Sequence, residues 1–172
     1  MKRLLLTLAN SPWYWLFLIV LGLGMEGIAL YYQYALDYGP CVLCIHVRLW
    51  ITVMILIAVL ALLRPRLKWF NVMSHLLMCG VMLALVNRSW LLIATERGWI
   101  EGTCDFNIGL PAWLDVQKWW PFLYEIQEPC GYTPILYFGV TMAEALLVIF
   151  SVLTVISLVL FVTALFSGRT AD

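Results

Sequence analysis

Residues 39–63 read GPCVLCIHVRLWITVMILIAVLALL, and this stretch decides the fold. From Val42 to Leu63 it is apolar apart from His46, Arg48 and Thr52. A helix rises 1.5 Å per residue, so a run of roughly 20 such residues crosses the ~30 Å hydrocarbon core of a bilayer. Three other stretches have the same character: about Trp13 to Tyr34, about Trp69 to Ile93 and about Ala143 to Phe166. The sequence therefore predicts an all-α integral membrane protein, a four-transmembrane-helix bundle forming a single membrane domain over residues 1–172. Composition agrees. The chain is 64% hydrophobic and 12% charged, whereas in soluble domains about a quarter of residues are charged. Its net charge of zero, with no basic stripe interleaved with aromatics, sets nucleic acid aside as a partner.

Orientation follows from the distribution of basic residues. Lys2 and Arg3 precede the first span, Arg64, Arg66 and Lys68 fill the turn between the second and third, and Arg169 follows the fourth. These positions share one face, which the positive-inside rule makes cytoplasmic, together with both termini. Asn10-Ser11-Pro12 interrupts the first apolar run and no small-residue cleavage site follows the next, so the N-terminus reads as a retained anchor. The opposite face carries the short turn around Asp37 to Pro40 and a long loop of about residues 94–142. Within that loop Leu110 to Trp120 holds Trp113, Trp119 and Trp120, the aromatic enrichment of a headgroup zone, and is expected to lie on the membrane surface as a short interfacial helix.

This topology sorts the five cysteines. Cys79 lies inside the third span among Leu76, Leu77, Met78 and Val81 and reads as a small buried hydrophobe. Cys41, Cys44, Cys104 and Cys130 fall at or beyond the non-cytoplasmic surface, in an oxidising compartment. Cys41 and Cys44 follow Gly39-Pro40 at the start of the second span. Unpaired N–H groups and the helix dipole there favour thiolates, which biases both sulfurs towards reactivity. A structural bridge over so short a loop would remove little chain entropy. A closed zinc site wants four ligands, and Cys104 and Cys130 lack a CxxC spacing of their own. By itself the pair Cys104 and Cys130 reads as a structural bridge, worth about 3 kcal/mol for a loop of that length. Beside a reactive pair, the two disulfides can exchange.

Arg48 follows Cys44 at i+4, on the same helix face. It could snorkel to the surface, or act as a fixed cation that stabilises a thiolate on Cys44 and negative charge developing on an electron acceptor. Glu26 lies within the first span, where a carboxylate is costly unless protonated or paired. His46, two residues past Cys44, is open to proton transfer or to packing.

In these residues and their spacing the chain resembles the DsbB family of bacterial inner-membrane disulfide-bond oxidases. The resemblance is carried by Glu26, Gln33, Pro40-Cys41-Val42-Leu43-Cys44-Ile45, Arg48, Cys104-Asp105-Phe106, Pro111, Trp113-Leu114, Lys118-Trp119, Pro121, Cys130 and Gly139. It implies a dithiol:quinone oxidoreductase serving a periplasmic DsbA-like thioredoxin-fold protein. Cys104 and Cys130 would face that donor, with Cys104 the sulfur attacked. Electrons would pass to Cys41 and Cys44, through a transient Cys41–Cys130 bridge, and Cys44 would deliver them to a quinone, ubiquinone or menaquinone, bound beside Arg48. Two departures stand out. Asn87-Arg88-Ser89-Trp90 has no histidine where the family carries a basic residue followed by one, and Gly131 to Tyr137 lacks the family's tryptophan. The competing expectations are a dedicated relative serving one donor and a non-catalytic membrane scaffold with a disulfide-pinned outer loop.

Overall fold

Ser11 opens the first helix by accepting the Trp13 N–H on its hydroxyl (3.2 Å), and Pro12 occupies the first turn, where its missing N–H costs nothing. The computed structural model describes residues 11–63, 68–100, 108–111, 115–129, 133–136 and 139–167. Cys104, Cys130, Trp113 and the basic residues Lys2, Arg3, Arg64, Arg66 and Arg169 lie outside them. The helices are α1 (Pro12–Ala35), α2 (Val42–Leu63), α3 (Lys68–Glu96), the short α4 (Val116–Trp119) and α5 (Pro121–Tyr124), and α6 (Met142–Ser167).

Helices α1, α2, α3 and α6 are each long and apolar enough to cross a membrane. They pack in chain order: α1 on α2, α2 on α3 and, most extensively, α3 on α6. The core between them is built from Leu18, Ile51, Met54, Met78, Met82, Leu85 and Phe150, all at or near zero exposure. Phe17, Val20, Leu56, Leu60, Val152 and Val155 point outward from the bundle. An apolar exterior around a packed core identifies lipid as the surrounding solvent. At Gly22 an added Cβ would sit 2.7 Å from Ile55 Cγ1 and 2.8 Å from Met54 Cε, so α1 and α2 approach over a residue that has no side chain.

One end of the bundle gathers the connections that matter for function. Helix α1 stops where Asp37 adopts a positive φ of 53° and the Tyr38 N–H donates back to the Tyr32 carbonyl (3.0 Å). At the start of α6, Thr141 and Glu144 form a reciprocal capping box: the Thr141 N–H donates to Glu144 and the Glu144 N–H to the Thr141 hydroxyl. Arg97, just past α3, donates to Glu144, and Thr133 donates to Glu96, so the ends of α3 and α6 are clipped together.

Of the stretch expected to form an interfacial helix, Leu110 to Trp120, the described residues are helical only in α4, and α5 follows just beyond it. Trp120 precedes Pro121, which disfavours helical backbone at the residue before it, and Trp120 accordingly takes φ −137°, ψ 69° between α4 and α5. Trp119, Trp120 and Phe122 are each more than half exposed, while Val116, Tyr124 and Ile126 are buried against Val42 and Ile45 of α2. The two turns of helix are therefore amphipathic: one side grips the bundle and the other offers aromatics outward.

Candidate redox site

Cys41 caps α2. Its carbonyl accepts the first helical hydrogen bond, from the Ile45 N–H (3.0 Å), and its sulfur accepts the Cys44 N–H (3.3 Å). A cap is normally an oxygen that takes up one of the orphan N–H groups of the first turn. With sulfur in that place, negative charge on Cys41 gains both the N–H and the positive end of the helix dipole. The Sγ atoms of Cys41 and Cys44 lie 2.7 Å apart, within bonding reach. Cys41 is 2% exposed, packed with Leu92, Ile93 and Ala143, whereas Cys44 is half-buried on the wall of a cavity.

That cavity, about 200 Å³, lies between α1, α2 and α6 and is also bordered by Leu92 of α3 and by the connecting segments at 38–40, 128 and 133–136. Helices α1 and α6 meet towards the far end of the bundle, where the hydroxyls of Tyr14 and Ser157 share a hydrogen bond (2.9 Å). Near the cysteines they face each other across a cleft, with Met25 and Ala29 on one side and Met142, Ala145 and Ile149 on the other. The floor is α2, which contributes Cys44, Val47, Arg48 and Ile51.

Arg48 does not snorkel. It is 6% exposed and turned into the bundle, where Nη1 donates to Gln33 Oε1 (2.7 Å) and to the Leu123 carbonyl (3.0 Å), and Nη2 donates to the Ala29 carbonyl (3.0 Å). Three acceptors hold the guanidinium plane on the cavity wall one helical turn below Cys44, close enough for the charge to act on that sulfur.

The long loop is tied to the same helix turn. His46 Nε2 donates to the Ile108 carbonyl (2.9 Å), and the Gln127 and Glu128 N–H groups both donate to the Pro40 carbonyl (3.0 and 3.5 Å). Gly39 makes the second contact possible, since a Cβ there would meet Gln127 Cβ at 2.8 Å and Glu128 Cγ at 2.9 Å. Tyr34 donates to the Phe122 carbonyl (2.7 Å), and the Tyr124 and Thr52 hydroxyls share a 2.7 Å hydrogen bond. Burial pushes the Tyr124 phenol above its ordinary range, so it stays a neutral hydroxyl.

Of the residues singled out from sequence, Cys41, Cys44 and Arg48 are thus brought to one place, and Glu26 and Gln33 join them. His46 anchors the loop. Arg88 acts electrostatically on His46 and is not among the residues lining the cavity. Cys79 is buried in α3. Sequence reading missed Tyr34, Thr52 and Tyr124, whose partners are 72 to 88 residues away along the chain and leave no local signal.

A family model described as "Disulfide bond formation protein DsbB" matches residues 11–160. The chain belongs to the DsbB family. It is similar to proteins named "Disulfide bond formation protein B" from Haemophilus influenzae (strain ATCC 51907 / DSM 11121 / KW20 / Rd), 29% identical with 98% of this chain and 96% of that protein aligned, and from Shewanella sp. (strain W3-18-1), 29% identical over 94% and 93%. A third, from Shewanella sp. (strain MR-4), is 30% identical over 93% and 91%. As a DsbB-family protein, the chain is a multi-pass membrane oxidoreductase of disulfide bond formation.

Proposed function

We propose that this protein oxidises the dithiol of a periplasmic DsbA-like thioredoxin-fold partner and passes the electrons, through Cys104 and Cys130 and then Cys41 and Cys44, to a quinone held in the cleft between α1 and α6. The protein sits in the bacterial inner membrane with both termini cytoplasmic and the cysteine pairs periplasmic. The observation that carries this reading is Cys44 on the wall of a mostly apolar cavity, with Arg48 fixed one turn below it. The cavity suits an apolar ring with polar oxygens, which gains from the buried cation while its hydrocarbon touches Met25, Ala29 and Ile149. A quinone bound there supplies a two-electron, two-proton acceptor.

The protein's own sulfurs carry the exchange. A donor thiolate attacks Cys104 of a Cys104–Cys130 disulfide and releases Cys130. The donor's second thiolate then displaces Cys104 and leaves the donor oxidised. Cys130 attacks Cys41 of a Cys41–Cys44 disulfide and releases Cys44, whereupon Cys104 attacks Cys130 and frees Cys41. The net result is an oxidised donor, a restored Cys104–Cys130 bond and a Cys41/Cys44 dithiol holding two electrons and, once protonated, two protons. Arg48 stabilises the Cys44 thiolate and orients the acceptor's oxygen. The ties described above favour exchange between the pairs, because Ile108 follows Cys104 by four residues and Glu128 precedes Cys130 by two, and both are hydrogen-bonded to the segment from Pro40 to His46.

Purified protein with a reduced thioredoxin-fold donor and a short-tailed ubiquinone analogue should consume one quinone for every two donor thiols, followed by quinone absorbance and thiol titration. Cys44→Ser should abolish quinone reduction and all thiol loss beyond the first equivalent of donor. Wild type that is folded but leaves the quinone unreduced would overturn the proposal. Thiol loss that continues without quinone, beyond what the protein's own two disulfides can accept, would do so as well.

A further inference from the structure

Glu26 borders the same cavity and nothing above uses it. Its side chain is 8% exposed, and neither carboxyl oxygen has a hydrogen-bond partner among the described residues. Arg48 is near enough to act on it electrostatically but makes no direct bond to it. The guanidinium donates to Gln33, Ala29 and Leu123, and no ion pair joins the two residues among those described. A bare carboxylate at this depth in a span would be held without direct compensation. A neutral carboxyl removes that cost and leaves one O–H donor unspent, facing a cavity whose α6 wall is apolar.

We infer that Glu26 is a protonated carboxyl that donates a hydrogen bond to a carbonyl oxygen of the ligand in the α1–α6 cleft, so that the ligand is held by two polar groups, Glu26 on α1 and Arg48 on α2. The inference deepens the quinone reading and rests on it. A ligand held by Arg48 alone could pivot about that contact, whereas a second donor on a neighbouring helix fixes the ring relative to Cys44. Glu26 is thus a binding and positioning residue, and the proton it holds stays on its own oxygen.

The test measures binding as well as turnover. Full-length protein in lipid nanodiscs is titrated with the ubiquinone analogue, as wild type, Glu26→Gln and Glu26→Leu. The amide of Gln keeps a donor, so its affinity should stay within about threefold of wild type, while Leu removes the hydrogen bond and should weaken binding about tenfold. Infrared difference spectra should show a carboxyl C=O band in wild type that shifts when the quinone is added and is missing in Glu26→Gln. Wild-type affinity in Glu26→Leu, or a carboxyl band indifferent to the ligand, would overturn the assignment and leave the quinone reading standing. Failure of wild type to bind quinone at all would overturn both. Should Glu26→Leu fail to fold, the wild-type infrared shift and the Gln titration decide the matter.

Discussion

Arg48 ties two neighbouring helices to α2 while its charge lies on the cavity wall beside Cys44. Its i+4 spacing from Cys44 placed the two on one helix face from sequence alone, but the three acceptors that lock the guanidinium lie on α1 and α5 and were beyond the reach of any local pattern. Those acceptors give Arg48 two jobs. In Arg48→Ala, the buried Gln33 Oε1 and two part-buried carbonyls lose their donor, an expected cost of about 1–3 kcal/mol, readable as a lower thermal midpoint. Turnover should fall further, by about a hundredfold, the scale of removing one preset charge-stabilising donor. Arg48→Lys separates the jobs: it restores charge without the planar fork, so it should recover turnover above the Ala variant while remaining less stable than wild type. Equal losses of turnover and folded protein in both variants would reduce Arg48 to a structural role. The sulfurs admit a similar separation. Serine is a good cap, so Cys41→Ser should keep α2 intact, with a thermal midpoint near that of wild type, and yet abolish catalytic donor oxidation beyond the first equivalent.

The four long helices were legible because hydropathy over some twenty residues is a strong and local signal. The connecting elements were less so. The break between α4 and α5 could be anticipated only from Pro121 acting on Trp120, and the fastening of the loop by His46 and Pro40 depends on tertiary neighbours that no periodicity encodes. Cys104 and Cys130, placed beyond the membrane by the span pattern and given a donor-facing role by the resemblance, lie outside the described residues. Gly39→Ala tests the fastening. The added methyl forces Gln127 and Glu128 away from the Pro40 carbonyl and weakens two hydrogen bonds, each worth about 0.5–1.5 kcal/mol. The expected outcome is electron transfer from the donor slowed about tenfold, with oxidation of a small dithiol that reaches Cys41 and Cys44 directly left unchanged. If both routes slow together, the contact serves the fold and not the exchange. At the start of α6, Thr141→Ala removes one half of the capping box and should lower stability by about 1 kcal/mol without changing quinone affinity, since the cap does not border the cavity. The cap on α4 is an ionic one. Lys118 holds the Asp115 carboxyl below its usual range, so the contribution of that cap is present at neutral pH and is lost only as the pH falls through this lowered pKa.

At the scale of the molecule, the packing order explains why the cleft exists and why it opens where it does. Helix α1 leans on α2 and α6 on α3, and α1 and α6 are joined by the Tyr14–Ser157 hydrogen bond well away from the cysteines, so the bundle is fastened at one end and parted at the other. On the proposed function, a ligand that dissolves in the bilayer reaches Cys44 sideways from lipid, a protein donor approaches from the loop side, and the two substrates need never share a path. This separation makes a sharp demand on mutants of the cleft wall. Ala145 faces the cavity from α6, and Ala145→Phe would place a ring in space of about 200 Å³ over Ile51, while the core residues Met54 and Phe150 do not border that space. Stability should hold or rise slightly, because apolar volume fills a void. The KM for quinone should increase by about tenfold or more, as lost pocket contacts of 1–3 kcal/mol would dictate. The rate at which one equivalent of reduced donor is oxidised in a single turnover without added quinone should not change, since that half-reaction uses only the cysteines. A variant that lost the single-turnover burst while keeping its quinone KM would show the cleft to be coupled to the donor side, and the two-path architecture would have to be abandoned.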